Sequence, residues 1–296
     1  MSELAQAVVL GLLIGGIYAL MASGLTLVFG VMNIINVAQG AFLILIAMIT
    51  WKAWAVTGLD PILLSIATTP LMFGLGWVLY RLVIARLRAA PPSMSVLLTF
   101  GIALTIEGVL NVTVGNRFRS ATPGYFSQSF RIGSIALPKA QVYGCVAAIV
   151  VLAALYLILH RTWTGRAIRA SAQNPAGAAL VGIGAPGVAA FAFALGAATA
   201  GVGGSVLSVL YPFFPASHYE WISRLLGIIV LGGMGSLPGA LTGAVILGLA
   251  ETLTAAYGSL RWATLVFYLV IMGVLLVRPH GLFGTRVRED AAVAAT

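Results

Sequence analysis

Long apolar runs, separated by short segments that contain polar residues, glycine or proline, dominate the pattern along the chain. A helix needs about 20 apolar residues to cross a bilayer, because it rises about 1.5 Å per residue. The pattern predicts eight apolar runs, at residues 5–29, 34–50, 61–80, 94–114, 141–159, 188–210, 222–256 and 262–277. We therefore predict an all-α polytopic membrane protein with about eight transmembrane segments.

The run 222–256 is too long for one simple span. Its glycine-rich stretch GGMGSLPG would divide it into a short helix, a turn and a second helix, so eight and nine segments both stay open. Small residues in this stretch and after it predict helix breaks and close helix packing. They are Gly232, Gly233, Gly235, Pro238, Gly239 and Gly243. Gly11 and Gly15 have the same four-residue spacing, and we favour internal packing over a subunit interface for both sets.

Composition agrees with the pattern. Hydrophobic residues make up 60% of the chain and charged residues 8%, with a mean hydropathy of +1.06. Soluble domains carry about 25% charged residues. No long polar linker interrupts the apolar pattern, so we expect one transmembrane domain over 1–296.

The net charge of +9 does not indicate nucleic-acid binding, because most basic residues lie at the ends of apolar runs, where they meet lipid headgroups. Three clusters predict the cytoplasmic side, namely Arg81, Arg86 and Arg88; Arg161, Arg166 and Arg169; and Arg278, Arg286 and Arg288. The N-terminus would then lie outside. The outer loop 115–140 conflicts with this rule, since it holds Arg117, Arg119, Arg131 and Lys139.

The segment 160–183 is the most informative polar stretch. Residues 164–173 predict a short helix, and Asn174 followed by Pro175 predicts the start of a second one, because asparagine caps a first turn and proline suits its first position. Gly182 and Gly184 predict its end. This pair would dock into a groove on a partner protein, or its arginines would hold an amphipathic loop on the membrane surface. Composition leaves both interpretations open.

A few polar side chains fall inside the apolar runs. Asn33, Asn36 and Gln39 are three apart, which on a helix places them along one face. They predict either a pathway that hydrogen-bonds a small polar solute or bonds between helices. Glu107 is predicted to lie near the centre of its span and to line the pathway or pack between helices. Glu251 is predicted to lie nearer a boundary and to be less constrained.

The other candidates for chemistry predict no site. The histidines, of which His218 and His280 are predicted outside the spans, have no metal-ligand spacing, so we expect no metal site. Cys145 is expected to be a small packing residue. Five tryptophans are expected at membrane interfaces. They are Trp51, Trp54, Trp163, Trp221 and Trp262.

Several motifs resemble branched-chain amino-acid ABC permeases. Residues 161–183 follow the pattern R-T-x-x-G-R-A-x-R-A-x-A-x-N-x-x-x-A-x-x-x-G-I of the family's coupling segment. The opening stretches GGIYAL (15–20), GLTLVFG (24–30) and NIINVAQG (33–40) and the closing stretches LGGMGSLPGA (231–240) and RPHGLFG (278–284) also match. The chain is more similar to the shorter, LivH-type subunit than to its LivM-type partner.

The resemblance implies an importer in the bacterial inner membrane, built from a heterodimer of two permeases, two cytoplasmic ATPases and a periplasmic binding protein. The segment 161–187 would couple the permease to an ATPase. The coupling positions named from the resemblance are Arg166, Arg169, Ala172, Ala179 and Gly182. ATP and Mg²⁺ would bind the ATPases, and no cofactor is expected here, because neither Lys52 nor Lys139 lies in a phosphate-binding G-x-x-x-x-G-K-[ST] motif.

The substrate implied by the resemblance is leucine, isoleucine or valine. Similar permeases serve urea, short amides or aromatic acids, and the binding protein contributes much of the selection. A second hypothesis is a secondary transporter in which Glu107 couples transport to protons. A membrane-embedded enzyme would need a cluster of nucleophiles, acids or metal ligands, and the sequence has none.

Overall fold

The structure, a computed structural model, describes residues 2–87, 92–133 and 135–284. Within these ranges the chain folds into eleven α-helices and one β-hairpin. The helices are α1 (Ser2–Met32), α2 (Ala38–Thr57), α3 (Ser65–Leu82), α4 (Pro92–Thr113), α5 (Lys139–Arg161), α6 (Trp163–Gln173), α7 (Pro175–Leu180), α8 (Ala185–Leu210), α9 (His218–Gly232), α10 (Leu237–Tyr257) and α11 (Leu260–Val277). The strands are β1 (Ser129–Ile132) and β2 (Ile135–Pro138), which pair antiparallel.

Seven of these helices are long and apolar enough to cross a membrane, namely α1 to α5, α8 and α10. Helix α9, with 15 residues, spans only about 22 Å. Helix α11 is also apolar but slightly short. The prediction of an all-α polytopic membrane protein is confirmed.

Helix α8 is the most deeply buried span and packs against α1, α2 and α3. Its sequence is rich in alanine, glycine and serine, and small residues let helix backbones approach closely in lipid. A Cβ added at Gly201 would lie 2.7 Å from the Thr69 Cα, and one at Gly204 would lie 2.5 Å from the Leu43 carbonyl oxygen. The Ser205 hydroxyl also bonds to those of Thr50 and Thr68, at 3.0 and 3.2 Å. Helices α2, α3 and α8 are therefore joined by both packing and hydrogen bonds.

The glycines with four-residue spacing lie at contacts within the chain. A Cβ added at Gly15 would lie 2.8 Å from the Val245 Cα of α10, and one at Gly11 would meet Leu249 and Thr252 of the same helix. Cys145 packs similarly against Gly16, where an added Cβ would lie 3.0 Å from its sulfur. The preference for internal packing agrees with these contacts.

The long run 222–256 is broken where the glycines predicted. Helix α9 ends at Gly232, and the Ser236 hydroxyl caps α10 by accepting a bond from the Gly239 amide at 3.1 Å. Between them Gly233 and Gly235 have φ angles of +101° and +83°, which residues with a Cβ adopt at a steric cost. Helices α9 and α10 therefore pack side by side as an antiparallel pair.

One end of the bundle, which we call the α6 end, gathers the predicted cytoplasmic clusters. Here Val31, Leu159, Ile168, Val188 and Leu237 share one apolar cluster, which brings together the end of α1, the end of α5, α6 and the starts of α8 and α10. The C-terminus of α3 lies beside the start of α8, since a Cβ added at Gly76 would meet Ala194 and Ala197. The described basic residues of all three clusters thus lie at one end, while Arg88, Arg286 and Arg288 lie outside the described residues.

The opposite end, which we call the hairpin end, carries the loop 114–138. Residues Arg119 and Phe213 exchange two backbone hydrogen bonds of 2.8 and 2.9 Å, and the Ala121 amide donates to the Ser208 carbonyl at 2.7 Å. The Arg119 guanidinium stacks over Trp51 at 4.5 Å from the ring centroid. The loop is therefore fastened to the ends of α2 and α8.

Candidate functional site: the α6–α7 pair and polar groups in the bundle

Helices α6 and α7 form the pair that the local sequence predicts. The Thr162 hydroxyl caps α6 by accepting a bond from the Gly165 amide at 3.0 Å, and the Asn174 side chain caps α7 through the Gly177 amide at 3.0 Å. Pro175 is in the first turn of α7. Gly182, with a φ of +80°, follows its end. The predicted cap, first turn and end of the second helix are confirmed.

Helix α6 is amphipathic, and its buried face packs on the bundle. Gly165, Ile168 and Ser171 are buried, and Gly165 lies so close to Leu159 of α5 that no side chain would fit between them. The five predicted coupling residues all lie on the exposed side of the pair. They are Arg166, Arg169, Ala172, Ala179 and Gly182. The bundle thus covers the apolar face that a surface-lying helix would turn to lipid.

The tip of the pair exposes apolar side chains. Leu180 is 89% exposed and Val181 is 76% exposed. Beside α6 the Trp163 ring is also exposed, and the Arg166 guanidinium lies 5.0 Å from its centroid. Aromatic and arginine side chains are typical of a protein interface, and here an exposed tryptophan and arginine lie on the same small projection as two exposed aliphatic side chains.

The three predicted pathway amides do not share one helix face, so that prediction is wrong. Residues 33–36 are non-helical, and Asn33 has a φ of +51° and is exposed. The chain leaves α1 here and begins α2 at Ala38, so only Gln39 lies on a helix. The spacing suggested a continuous helix, whereas asparagine tolerates the left-handed backbone that ends one.

Asn36 and Gln39 nevertheless remain together in the bundle. Asn36 is 1% exposed and Gln39 is fully buried. The backbone amide of Gln39 donates a hydrogen bond to the backbone carbonyl of Asn36 at 3.2 Å. Thr99 of α4 holds this turn, because its hydroxyl accepts from the Val37 amide at 3.1 Å. The Gln39 side-chain nitrogen donates to the Gly196 carbonyl of α8 at 3.0 Å.

The turn from Asn36 to Gln39, which we call the amide turn, holds polar side-chain atoms that have no hydrogen-bond partner among the described residues. They are both polar side-chain atoms of Asn36 and the side-chain oxygen of Gln39. Buried amide groups are nearly always hydrogen-bonded, because leaving one unpaired costs about 1–3 kcal/mol. The turn therefore offers one NH₂ group and two oxygens that a polar solute or water would satisfy if the bundle opened there.

Glu107 lies on α4 and pairs with His218, the first residue of α9, at 2.9 Å. The backbone oxygen of His218 in turn lies close to α2, since a Cβ added at Gly40 would approach it to 2.6 Å. His218 lies outside the seven candidate spans, as expected, and it is 1% exposed. The structure thus places Glu107 and the amide turn on helices that meet around the start of α2.

A second polar cluster, which the sequence did not reveal, surrounds Arg224 of α9. Its guanidinium donates to Glu251 of α10 at 2.9 Å and to the Tyr18 hydroxyl of α1 at 3.0 Å, and Tyr18 donates to the other Glu251 oxygen at 2.7 Å. Glu220 pairs with Arg224 from the preceding turn, at 3.2 Å. The expectation that Glu251 is less constrained than Glu107 is therefore wrong.

The same cluster corrects the role of one tryptophan. Trp221, expected at a membrane interface, is 4% exposed and packs edge to face against Tyr18 and Tyr211. Its ring lies 5.9 Å from the Arg224 guanidinium carbon. A basic residue inside the apolar run 222–256 was the one signal that could have located this cluster.

Within the described residues, no group of three or more histidine, cysteine, aspartate or glutamate side chains could hold a metal ion.

Comparison with known proteins gives consistent matches. The model of the family described as branched-chain amino acid transport system, permease component, matches residues 7–275. The high-affinity branched-chain amino acid transport system permease protein LivH of Escherichia coli K12 is 29% identical over 288 residues, which is 93% of each chain. The corresponding protein BraD of Pseudomonas aeruginosa is 29% identical over 293 residues, 94% of this chain and 95% of that one.

One further relative matches only part of the chain. The fructose import permease protein FrcC of Rhizobium meliloti is 28% identical over 156 residues, which is 50% of this chain and 42% of that one. No solved structure matches. Since the family model covers most of the chain, and relatives align along nearly its whole length, the chain belongs to the family of permease components of branched-chain amino acid transport systems.

Proposed function

We propose that the chain is the transmembrane subunit of an ATP-driven importer and forms part of the translocation pathway for branched-chain or other hydrophobic amino acids. Its partners are a second, different permease, two cytoplasmic ATPases and a binding protein outside the membrane. The membrane is the bacterial inner membrane. ATP and Mg²⁺ bind the ATPases, not this chain.

The observation that carries this proposal is the exposed side of the α6–α7 pair. All five predicted coupling residues lie on that side, and the opposite side packs on the bundle. Four of the five, Arg166, Arg169, Ala172 and Gly182, are positions of the coupling-segment pattern. A projection whose buried face rests on α5 and α8 passes force from a partner to the spans more directly than a free loop would. The pair therefore suits docking into a groove of a moving ATPase.

The pathway assignment rests on the amide turn at Asn36 and Gln39 and on Glu107. Buried amide atoms without partners give hydrogen bonds to a polar solute without fixing a net charge. An amino acid presents both an ammonium donor and carboxylate acceptors, so such groups suit it. Uncharged amides such as urea would also fit, which is why the substrate needs a direct test.

The test uses the complete importer in proteoliposomes, made by co-expressing this chain with the second permease and the ATPases. Uptake of labelled leucine is measured with the binding protein outside and ATP inside. We expect ATP-dependent uptake, and we expect the double substitution Arg166→Ala and Arg169→Ala to lower it roughly tenfold or more while the complex still assembles. The loss follows from removing two cations that face the ATPase.

The matched control is the pair Arg81→Ala and Arg86→Ala, which removes the same charge from exposed positions at the α6 end but outside α6 and α7. Uptake close to wild type is expected for it. ATP-dependent uptake of urea but not leucine would keep the architecture and reject the substrate. Uptake driven by a proton gradient, by this chain alone, would support the secondary transporter with Glu107 as its proton carrier instead.

A further inference from the structure

The first turn of α2 begins inside the bundle without a side-chain cap. Val37 is the N-cap residue, and no side chain among the described residues caps the helix there. Ala38 and Gln39 are fully buried and Ala41 is 1% exposed, so bulk water does not reach this helix end. The first N–H groups of a helix need partners outside it, and their dipoles make the end electropositive. A buried and uncapped helix start therefore favours an anion.

An asparagine that could cap this helix lies unpaired beside it. Asn36 precedes the N-cap residue, and its backbone carbonyl accepts the bond from the Gln39 amide, so the residue folds back onto the first turn. Asparagine is one of the residues that cap helix starts, yet both polar side-chain atoms of Asn36 lack a partner within the described ranges. The side chain thus supplies an NH₂ donor and an oxygen at the electropositive end of α2.

Gln39 adds a third unpaired atom, and its bond to α8 identifies that atom. The side-chain atom that bonds to the Gly196 carbonyl at 3.0 Å must be the nitrogen, because a carbonyl only accepts. The atom that has no partner in the described part of the chain is therefore the oxygen. Gly24 of α1 leaves room for this side chain, since a Cβ added there would lie 2.9 Å from the nitrogen. Contacts on two helices thus hold one more acceptor beside the α2 start.

No charged side chain satisfies the amide turn from within the described residues. None of their ion pairs includes a residue of the turn, and Glu107, on a helix that meets the start of α2, is engaged by His218 at 2.9 Å. The Thr99 hydroxyl is neutral, and it bonds to the Val37 amide and the Ile35 carbonyl. The turn therefore combines donors that suit a carboxylate with two oxygens that suit an ammonium group.

We infer that the amide turn binds the charged head group of an amino acid during transport. The carboxylate lies at the N-terminus of α2 and accepts from the Asn36 NH₂ group, and the ammonium group donates to the oxygens of Asn36 and Gln39. The inference rests on the proposed function and makes its substrate class specific, because urea and short amides lack both charges. Since the turn is enclosed in this structure, the head group enters only when the helices packed around the start of α2 separate.

The experiment uses the complete importer in proteoliposomes, with labelled leucine and a saturating concentration of loaded binding protein, so that the maximal rate reports on the permease. Asn36→Asp replaces the NH₂ donor by a carboxylate of nearly the same shape. We expect it to lower maximal uptake roughly tenfold or more at about pH 7.5, because two carboxylates repel each other in a buried site. ATP hydrolysis should stay close to wild type, since the coupling segment is unchanged.

Acidic pH provides a readout that a simple loss of packing would not change. Once protonated, the introduced carboxyl group donates a hydrogen bond as the amide did. We therefore expect uptake by Asn36→Asp, relative to wild type, to recover severalfold at about pH 5.5. The titratable groups around the start of α2 are Glu107 of α4 and His218 and Tyr219 of α9. Both proteins contain them, so the ratio to wild type removes their effect.

The matched control is Asn33→Asp, the same change at an exposed residue whose φ of +51° aspartate also tolerates. It should leave uptake unchanged at both pH values. Asn36→Ala removes the unpaired group without adding charge and should lower uptake severalfold at both, which keeps the test decisive if Asn36→Asp does not assemble. Size-exclusion elution verifies assembly. Wild-type uptake by either Asn36 variant would overturn the inference and leave the polar atoms to water, and so would an equal loss in Asn36→Asp at both pH values.

The two proposals fail differently. If the wild-type importer takes up urea but not leucine, the proposed substrate is rejected and the head-group site is rejected with it. If it takes up no solute with ATP, the proposed function itself fails. If the wild-type importer transports leucine but Asn36→Asp behaves like Asn33→Asp, only the head-group site is rejected.

Discussion

Arg224 is buried, yet each of its contacts offsets the cost of removing a charge from water. Two carboxylates and a phenol accept its hydrogen bonds, and the Phe267 ring lies 5.4 Å from its guanidinium carbon. An unpaired charge among membrane helices is costly, so such a residue persists only with partners. The cluster links α1, α9 and α10, and it therefore resists any motion that separates them.

We predict that Arg224→Ala lowers the stability of the permease by about 3–5 kcal/mol, because it leaves Glu251 buried with its charge uncompensated. Adding Glu251→Gln should recover part of this loss, since the remaining charge is removed as well. The measurement is thermal unfolding of the purified complex in detergent. Arg86→Ala, at an exposed position, serves as control, and an equal effect of both arginine substitutions would contradict a role for the cluster.

Single residues differ in how far the sequence revealed them. The cap at Asn174 depends on the neighbouring residues alone, so the order of asparagine, proline and glycine predicted it. Arg224 and Tyr18, by contrast, are 206 positions apart and meet only because α1 packs beside α9. Periodicity reports which face of a helix is apolar, and it cannot report which distant residue faces it.

Among the elements, the α9–α10 pair shows how close helix contacts depend on small residues. The backbones of Gly232 and Gly239 lie so close together that a side chain at either position would overlap the backbone of the other. Gly243 packs against the Ile228 carbonyl, where an added Cβ would lie at 2.9 Å. These contacts let two antiparallel helices touch along their backbones.

We predict that Gly239→Ala destabilises the permease by about 1–3 kcal/mol, because the added methyl group must push α9 and α10 apart. Gly101→Ala of α4 is the matched control, since nothing lies within 4 Å of a Cβ there. Its effect should be neutral or slightly stabilising, as alanine favours helix more than glycine does. Thermal unfolding measures both, and equal midpoints would show that the contact between α9 and α10 can relax.

The break between α1 and α2 was the element that spacing predicted wrongly. Asn33, Asn36 and Gln39 fit a helix of 3.6 residues per turn, but the chain bends at Asn33 and re-enters a helix at Ala38. Thr99 of α4 holds the bend through the Val37 amide. The stabilising contact comes from another helix, so local periodicity does not contain it.

At the scale of the whole molecule, the two ends differ in charge and structure. The α6 end carries the described residues of the three basic clusters, and the hairpin end carries the loop 114–138. From the positive-inside rule we predict that the first lies in the cytoplasm and the second outside. Helix α1 ends at the α6 end, so this orientation places the N-terminus outside.

Two matched cysteine substitutions in a Cys145→Ala background test this orientation. One is Ser127→Cys in the loop 114–138, and the other is Ala179→Cys on α7. Both positions are exposed. A membrane-impermeant maleimide added to whole spheroplasts should label position 127 and leave position 179 unlabelled until the membrane is permeabilised. The reverse pattern would invert the orientation.

The sequence by itself determined the membrane class, the spans, the broken run 222–256 and the α6–α7 pair, because each depends on residues within about twenty positions of one another. Only the tertiary structure decided which polar groups meet. It paired Glu107 with His218, enclosed Arg224 among α1, α9 and α10, and left amide atoms of Asn36 and Gln39 without partners in the described part of the chain. These contacts depend on how helices pack in lipid, where close fit and hydrogen bonds, and not the hydrophobic effect, select the neighbours.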